Sequence, residues 1–380
     1  MNDGYDLLVL GGGIAGAAAA LAAARRGRRV AVVRGGPGAT ALSAGAWRGP
    51  LPVEVAGALA EGGVPHERPA GALPHPRGEL VPADHAAPAQ CRAVPVEGAL
   101  VCGIVGLPGF DAAALARLWG EAAGVRLEAA VVAAGSGTPA AGWSPVALAA
   151  ALDRDPSPLA DAVAEAVRVS GATRVIVPAV AGLERSAAVL AALGEAAGVP
   201  VGEALGVPPS LPGWRLDRAL LAGLAAAGVE VVQGRVVERE VEGRRVVAVG
   251  VRPTRGDAEV LRLEAAAYVL ATGKYLGGGI VVEGTLREAA LGCPVRVDYV
   301  GPSVEAFDAL ALTHADRSLP QPLLRAGVET DARGRPVDGR GDVVYENVYV
   351  AGTVRAGRSG SEPGLGVAAE EGVRAGEAAG

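Results

Sequence analysis

The fold is decided by residues 5–16, which read YDLLVLGGGIAG. The apolar run at 5–10 has the Val and Leu content of a buried parallel strand, and three glycines follow it at once. A run of good helix formers continues to Arg26, and Gly27 ends it as a helix C-cap would. Residues 29–33, RVAVV, then predict a second buried strand. This order of strand, glycine turn, helix and strand predicts a complete βαβ unit.

The glycine turn has the G-x-G-x-x-G spacing of a dinucleotide-binding loop. Gly11 permits the tight turn, Gly13 lets backbone amides approach a diphosphate, and Gly16 lets the helix pack closely on the strand. The amino end of the helix, at Ile14 and Ala15, adds positive potential for the phosphates. We therefore predict that these five residues bind a dinucleotide, the alternative being a glycine turn without a ligand.

The second strand ends without the acidic residue that such units place on the adenosine ribose. Arg34 and Gly35 stand there instead. An arginine at this position is typical of proteins that bind the 2′-phosphate of NADP. The first βαβ unit alone therefore leaves FAD and NADP open.

The second half of the chain favours a flavin. Residues 267–270, AYVL, predict a strand that runs into an ATG tripeptide, as in two-dinucleotide-fold flavoproteins where the chain crosses back near the cofactor. A strand at 347–351 is followed by a glycine-containing segment and a helical run at 367–379. In such flavoproteins this helix points its amino end at the isoalloxazine, where its dipole stabilises the reduced anion. The residues predicted to bind the cofactor in this half are Ala271, Thr272, Gly273, Lys274, Gly352, Thr353, Gly364 and Gly366.

A second acid is missing from this half. Thr353 follows Gly352 where related flavoproteins commonly place an aspartate on the ribityl chain, and its hydroxyl is expected to take that role. With Arg34, this is the second substitution in one cofactor site. FAD is the expected cofactor, and FMN is kept as the alternative.

Composition excludes several other classes of protein. The run from Ile14 to Ala24 stops at Arg25, which is short of the roughly 20 apolar residues that cross a bilayer. Asp3 and Asp6 stand where a secretory signal needs basic residues, so a cytoplasmic protein without direct membrane insertion is expected. The formal charge of −6 gives no general attraction to nucleic acid.

The three cysteines do not have metal-ligand spacing. Cys91, Cys102 and Cys293 form no C-x-x-C pair and have no nearby histidine. We expect reduced thiols, no metal site and no iron–sulfur cluster in this chain.

The length of 380 residues favours two lobes over a single core. Residues 49–95 are rich in Pro and Gly and predict irregular loops. Beyond them, apolar runs alternate with alanine-rich helices. Strands are predicted at 131–134 and 174–177, a helix at 186–197, and after it a helix at 216–227 with meander strands at 229–232, 236–241 and 245–251.

These features predict an α/β fold. It consists of a Rossmann-type FAD-binding domain, similar to those of glutathione reductase and fumarate reductase, at 1–50 plus 208–380. The loops and the cap or substrate domain at 51–207 are expected as an insertion in it.

The landmarks together resemble the B-subunit family of the anaerobic glycerol-3-phosphate dehydrogenase, over nearly the whole chain. The segments that carry the resemblance are GGGIAG at 11–16, Arg34-Gly35 with Ser43-Ala44-Gly45 downstream, PAVAGL at 178–183, PPSLPGWRL at 208–216, ATGKYLGGGI at 271–280, LRE at 286–288, Gln321-Pro322, GVETD at 327–331 and AGT at 351–353. The block at 208–216 is the most distinctive because a generic flavoprotein has no physical need for it. Ser43 joins the residues expected to bind the cofactor.

The resemblance implies oxidation of sn-glycerol 3-phosphate to dihydroxyacetone phosphate, with electrons passing toward quinone. The substrate phosphate needs a cationic clamp, for which Arg287 is the first candidate and Arg355 and Arg358 follow. His314 is the candidate base because imidazole accepts protons near neutral pH. Lys274 beside the flavin segment is a candidate for a compact charge near the flavin ring.

The family also implies partners. These are a larger FAD-bearing catalytic subunit and an iron–sulfur subunit that anchors the complex, which would place this chain in the cytoplasm or on the inner face of the membrane. Three alternatives remain: an electron-transfer or scaffold subunit without catalysis, a stand-alone oxidoreductase of the fumarate-reductase-like class, and an NADP-binding protein with Arg34 on the 2′-phosphate.

Overall fold

The computed structural model describes residues 4–135, 139–255, 259–298, 308, 310–316, 318–357 and 364–379. The strands in these ranges are β1 Tyr5–Leu10, β2 Val30–Arg34, β3 Ala46–Trp47, β4 Leu73–Pro74, β5 Leu80–Val81, β6 His85–Ala86, β7 Ala99–Ile104, β8 Leu127–Val132, β9 Arg174–Val177, β10 Val201–Glu203, β11 Glu230–Glu242, β12 Arg245–Pro253, β13 Leu261–Leu270, β14 Ile280–Glu283, β15 Thr285–Glu288, β16 Val295–Arg296, β17 Gly327–Val328 and β18 Val348–Val350. The helices are α1 Ile14–Ala24, α2 Val53–Glu61, α3 Pro88–Cys91, α4 Ala112–Ala123, α5 Pro145–Arg154, α6 Ser157–Ser170, α7 Ser186–Ala197, α8 Leu211–Ala226, α9 Pro322–Arg325 and α10 Gly364–Ala378, with 3₁₀ turns at Ala39–Leu42, Leu310–Leu312 and Gly352–Val354.

The chain forms two compact units. The first takes its described residues from Met1–Thr40, Gly49–Gly62 and Ala219–Gly380, and the second consists of Ala41–Arg48 and Gly63–Arg218. The first unit has a parallel sheet in the order β11-β2-β1-β13-β18. β11, β12 and β13 also form an antiparallel meander. The parallel sheet carrying the first βαβ unit confirms the α/β Rossmann-type prediction.

Two strands of the first unit belong to both ladders. Residues 230–233 of β11 pair with β2 in parallel, and its continuation from Gly234 pairs with β12. In the same way, β13 pairs with β12 through 261–264 and with β1 from Ala265 onward. The separate strands expected at 229–232 and 236–241 are therefore one strand, β11, because it pairs first with β2 and then with β12. The strand expected at 267–270 begins six residues earlier, because the first part of β13 pairs with β12.

The last helix of the first unit packs directly on the first. α1 is built of small residues and is buried along nearly its whole length. A Cβ on Gly376 of α10 would lie 2.3 Å from the carbonyl oxygen of Ala19. Only a residue without a side chain permits this approach, so Gly376 brings the two backbones together.

The second unit has its own parallel sheet, in the order β10-β9-β7-β8. Two of its helices, α4 and α5, begin at side-chain caps: Asp111 accepts the amide of Ala114 at 3.1 Å, and Ser144 accepts the amide of Ala147 at 3.1 Å. β9 and α7 lie at 174–177 and 186–197, as the sequence predicted. The strand expected at 131–134 is β8 and starts earlier, at Leu127.

Several boundaries differ from those expected. Residues 49–95 contain α2 and short paired strands, so they are less irregular than the Pro and Gly content suggested. α8 starts at Leu211, five residues before the expected 216, because the Ser210 hydroxyl accepts the amide of Gly213 at 3.1 Å. Relative to the expected domains, residues 41–48 and 208–218 fall in the second unit and α2 falls in the first.

Candidate functional site

The glycine loop after β1 lies against the segment after β13. Gly11 has a φ of +112°, and a Cβ there would lie 2.3 Å from the carbonyl oxygen of Ala271. Gly16 is equally restricted, since its Cβ would lie 1.8 Å from the carbonyl oxygen of Gly11. The structure thus brings the predicted loop and the predicted ATG segment together, and it requires glycine at both positions.

Thr40 stands at the amino end of α1. It is buried, and its Oγ1 accepts the backbone amide of Ile14 at 3.0 Å. A Cβ on Gly13 would lie 3.4 Å from the same oxygen. A threonine hydroxyl that accepts one hydrogen bond still has a proton to donate to an anion. Sequence reasoning missed this residue, whose only signal was its place shortly after the second strand.

Arg34 lies across the glycine loop. It is 5% exposed, and its Nη1 donates to the carbonyl oxygen of Gly12 at 3.0 Å. A Cβ on Gly12 would lie 3.0 to 3.2 Å from the side-chain carbons of Arg34. The residue that replaces the ribose acid therefore covers the loop with its side chain, and Gly35 follows it in the chain.

The ATG segment contains a buried polar atom without a partner. Thr272 Oγ1 has no hydrogen bond within the described residues. A Cβ on Gly279 would lie 2.4 Å from this hydroxyl, and one on Gly277 would lie 2.3 Å from the carbonyl oxygen of Thr272. Glycines thus keep side chains away from Thr272, and an unpaired buried hydroxyl is a group for which a ligand would supply a partner.

Lys274 and Tyr275 are tied to the segment at 323–324. Lys274 Nζ donates to the carbonyl oxygen of Leu324, and the Tyr275 hydroxyl donates to that of Leu323 at 2.6 Å. Burial raises the pKa of Tyr275 to about 12, so it is a neutral donor at physiological pH. The predicted role of Lys274 as a charge on the flavin ring stays a prediction.

The segment after β18 approaches the ATG segment. A Cβ on Gly273 would lie 3.7 Å from Thr353 Oγ1, so the two predicted cofactor-binding residues are neighbours. The Gly352 amide donates to Glu371 Oε2 at 3.0 Å, and Gly352 has a φ of +77°. Gly364 and Gly366 lie in the first turn of α10, and Gly366 is buried.

Arg355 is held by a buried carboxylate. Its Nη1 lies 2.6 Å from Glu371 Oε1, and its Nη2 donates to Thr330 Oγ1 at 2.9 Å. Arg355 also lines an open cavity of about 510 Å³ together with Arg296 and Arg340. Since Glu371 neutralises it, Arg355 is poorly suited to clamp a phosphate by itself.

The other candidates for catalysis lie elsewhere in the first unit. Arg287 is exposed on the β14–β15 hairpin and pairs with Glu283 at 2.8 Å. The His314 amide donates to Gln321 Oε1 at 2.7 Å, and its ring is partly buried. Arg358 lies outside the described residues. Roles for these side chains in catalysis stay predictions.

Ser43 belongs to the second unit, where the proline-rich block holds its backbone. Its carbonyl oxygen accepts the Ser210 hydroxyl, and a Cβ on Gly213 would lie 2.6 Å from that same oxygen. Ser43 Oγ is buried without a hydrogen-bond partner within the described residues. The distinctive block thus fixes the backbone around Ser43 and leaves its hydroxyl for another partner.

Arg215 of the same block forms a buried ion pair. It lies 2.6 Å from Glu203, which is fully buried, and it donates to the carbonyl oxygen of Gly182 at 2.9 Å. Glu203 also accepts from the Ala181 amide. The sequence singled out this block and the segment at 178–183 separately, and the structure brings them together.

The cysteines are all free thiols in the structure. Burial raises the pKa of Cys91 and of Cys102 to about 12, and it also raises that of Cys293. Among the described residues, His, Cys, Asp and Glu side chains form no group of three or more that could hold a metal ion.

The arrangement fits the diphosphate of a dinucleotide. The glycines of the loop carry no side chains, α1 presents its amino end, and Thr40 and Thr272 supply hydroxyls. The adenosine end departs from the usual pattern, because Arg34 can only donate hydrogen bonds where a carboxylate would accept them from the ribose.

A family model described as "FAD binding domain" matches residues 6–72 and 112–368. These ranges contain every residue predicted to bind the cofactor. The match covers well over half of the chain.

Curated relatives share about a third of the aligned residues. The B-subunit of the anaerobic glycerol-3-phosphate dehydrogenase of Yersinia enterocolitica is 35% identical over 217 residues, which are 55% of this chain and 46% of the relative. The probable B-subunit of the same enzyme in Halobacterium salinarum is 33% identical over 298 residues, which are 74% of this chain and 66% of the relative. The chain thus matches between about half and two thirds of the length of these relatives.

Solved structures resemble the chain only distantly. The 3-ketosteroid Δ1-dehydrogenase of Sterolibacterium denitrificans is 13% identical, with a TM-score of 0.42 and 98% of each chain covered.

Among the described residues, every helix is too short or too polar to span a bilayer.

Proposed function

Since this chain belongs to the FAD-binding-domain family and is a flavin oxidoreductase with FAD as cofactor, we propose that it oxidises sn-glycerol 3-phosphate to dihydroxyacetone phosphate. In this proposal it acts as the B-subunit of an anaerobic, quinone-linked dehydrogenase. The names of its curated relatives support the substrate and the subunit role. The flavin part of the proposal rests on two close approaches, that of Gly11 to Ala271 and that of Gly273 to Thr353.

The residues of this chain have defined tasks toward the cofactor. The glycine loop and Thr40 hold the diphosphate, and Thr272 and Thr353 offer hydroxyls beyond it. When bound, the flavin supplies the acceptor for the hydride that leaves C2 of the substrate. The amino end of α10, with Gly364 and Gly366, stabilises negative charge on the flavin ring through its helix dipole.

The substrate needs a base and a phosphate clamp. We assign the base to His314, because an imidazole nitrogen can accept the proton of the substrate hydroxyl. Arg287 is exposed, and an exposed ion pair such as Arg287–Glu283 contributes only up to about 1 kcal/mol. The Arg287 guanidinium can therefore leave Glu283 and bind a phosphate. Arg287 therefore remains the first candidate for the phosphate and Arg355 the second.

The proposed partners are a larger FAD-bearing subunit and an iron–sulfur subunit that anchors the complex to the membrane. In that complex the chain would lie in the cytoplasm or on the inner face of the membrane.

A second function is an electron-transfer or scaffold role without catalysis in this chain. It is favoured by the neutralisation of Arg355 by Glu371 and by the position of Arg287 on an exposed hairpin. Both observations leave the phosphate site incomplete without a further cation.

The visible spectrum of the purified chain, recorded without oxygen before and after addition of glycerol 3-phosphate, tests the proposal. Flavin absorbance that the substrate bleaches supports the dehydrogenase. Flavin that only dithionite reduces supports the second function. The control is Gly11→Ala, which should take up no flavin because its Cβ would lie 2.3 Å from the Ala271 carbonyl oxygen. A colourless wild-type chain that binds no added FAD contradicts the dehydrogenase and the electron-transfer role, and is compatible only with the scaffold role.

A further inference from the structure

Two arginines stand at the carboxyl edge of the parallel sheet in the first unit. Arg34 is the last residue of β2, and Gln233 of β11 is its register partner. Arg235 follows two residues later on β11, so the pleat sends its side chain to the same side as that of Gln233. Both arginines therefore lie at the edge where the glycine loop begins.

Arg34 is a buried cation beside the loop. It is 5% exposed, and its guanidinium reaches the carbonyl oxygen of Gly12. A diphosphate bound at the glycine loop supplies both opposite charge and acceptor oxygens.

Arg235 approaches from the other side. A Cβ on Gly35 would lie 2.9 Å from its Cγ and 3.1 Å from its Nε. A Cβ on Gly278 would lie 3.5 Å from its Nη1. Its side chain thus runs from the end of β2 toward the flavin segment after β13.

Glycines keep the surroundings of these cations open. Added Cβ atoms on Gly36 and Gly38 would meet nothing within 4 Å. The backbone here has room for a bulky, oxygen-rich group. The amino end of α1, capped by Thr40, adds positive potential at the same loop.

We propose that Arg34 and Arg235 form a clamp for the phosphates of the dinucleotide, so that this chain recognises its cofactor by phosphate charge instead of by the adenosine ribose. The inference rests on the FAD-binding part of the proposed function and is independent of the substrate. An arginine can only donate hydrogen bonds, and it matches phosphate oxygens through its planar fork. It cannot accept a hydrogen bond from a ribose hydroxyl, which is the task of the acid that it replaces.

The clamp makes cofactor affinity depend on salt. We would titrate the flavin-depleted chain with FAD and with riboflavin, following flavin fluorescence, at about 20 mM and about 500 mM NaCl. The dissociation constant for FAD should rise by about tenfold over this range, because the attraction is between charges. Riboflavin has no phosphate, and its dissociation constant should change by less than about twofold.

Single substitutions measure the contribution of each arginine to FAD affinity. Arg34→Gln should weaken FAD binding by about 10- to 100-fold, the usual effect of losing a hydrogen bond to a charged group. Arg235 is exposed, and Arg235→Gln should weaken FAD binding by up to about fivefold. Arg34→Lys should recover part of the affinity. The matched control is Arg374→Gln, which removes the same charge from an exposed pair with Glu370 on α10 and should leave FAD affinity unchanged.

The outcomes are distinct. FAD binding that is insensitive to salt would overturn the clamp and leave the proposed function intact. The same conclusion follows if Arg235→Gln binds FAD like wild type and Arg34→Gln loses affinity for FAD and riboflavin equally. Tighter binding of NADP⁺ than of FAD would overturn it as well, since the arginines would then serve a 2′-phosphate. A chain that takes up no flavin at all contradicts the clamp and the proposed function together.

Discussion

Gly372 of α10 lies so close to Ala15 of α1 that a Cβ on Gly372 would fall 2.1 Å from the Ala15 carbonyl oxygen. Gly372 and Gly376 are four residues apart and therefore stand on the same face of the helix. Their contacts join α10 to α1, the helix that begins at the glycine loop. The position of α10, whose amino end is proposed to face the flavin ring, depends on the absence of two side chains.

Substitution of Gly372 should therefore weaken the first unit. Gly372→Ala should lower the free energy of unfolding by about 1–3 kcal/mol, because the methyl group forces the two helix backbones apart. Urea unfolding followed by circular dichroism measures this. Gly57→Ala in α2 is the control: its Cβ would meet nothing within 4 Å, so it should stabilise the chain by about 0.5–1 kcal/mol. Equal effects of the two substitutions would contradict the packing argument.

The Arg215–Glu203 pair should hold the second unit together. Arg215→Met should cost about 3–5 kcal/mol, because it leaves the fully buried Glu203 charged without its partner. Removing the charge from both, as in Arg215→Met with Glu203→Gln, should cost less than the single change. Chemical denaturation of the single and double variants gives the comparison. A double variant less stable than Arg215→Met would show that the uncompensated charge is not the cause.

Glu288 should make stability depend on pH. Burial raises its pKa above the ordinary value, while the amides of Ala290, Leu291 and Cys293 act against this. A raised folded-state pKa means that folding favours the protonated acid. Its contribution is therefore fully present below the unfolded pKa of about 4.5 and is lost as pH rises through the folded pKa.

The test compares wild type with Glu288→Gln. As pH rises above about 4.5, wild type should lose stability relative to the variant, because the amide does not titrate. The measurement is the urea midpoint at several pH values. Parallel pH profiles of the two proteins would contradict the assignment.

The thiols should be inert in the folded chain. With a pKa of about 12, Cys91 and Cys102 are thiolates to about one part in ten thousand at pH 8. A colorimetric disulfide reagent should therefore react slowly with the native protein and rapidly with all three cysteines in denaturant. A fast-reacting thiol in the native protein would contradict this, and the chain unfolded in urea is the positive control.

Local sequence patterns predicted the elements of the fold that are close together in the sequence. β1, the glycine turn, α1 and β2 follow within 30 residues, and strand and helix periodicity was enough to place them. The family was recognisable because its motifs are spread along the chain, and the curated relatives confirm that resemblance. The predicted FAD cofactor is confirmed by the family match.

What could not be predicted depends on partners distant in sequence. Arg355 was chosen for its charge, but the carboxylate that neutralises it is Glu371, on the next helix. Thr40 was missed because its contact with Ile14 spans 26 residues of sequence. The sequence showed that Arg34 replaces the expected acid, but its position across Gly12 is visible only in the three-dimensional structure.

The pairing of β1 also sets an order of events during synthesis. β1 and the glycine loop emerge from the ribosome more than 250 residues before β13, which covers one edge of β1, and α10 follows β13. The sheet of the second unit, in contrast, is complete once β10 has been made. The second unit can therefore fold while β1 still has an exposed edge, a state that invites aggregation and chaperone binding. The contact between Gly11 and Ala271 therefore cannot form until β13 and the residue that follows it have been made.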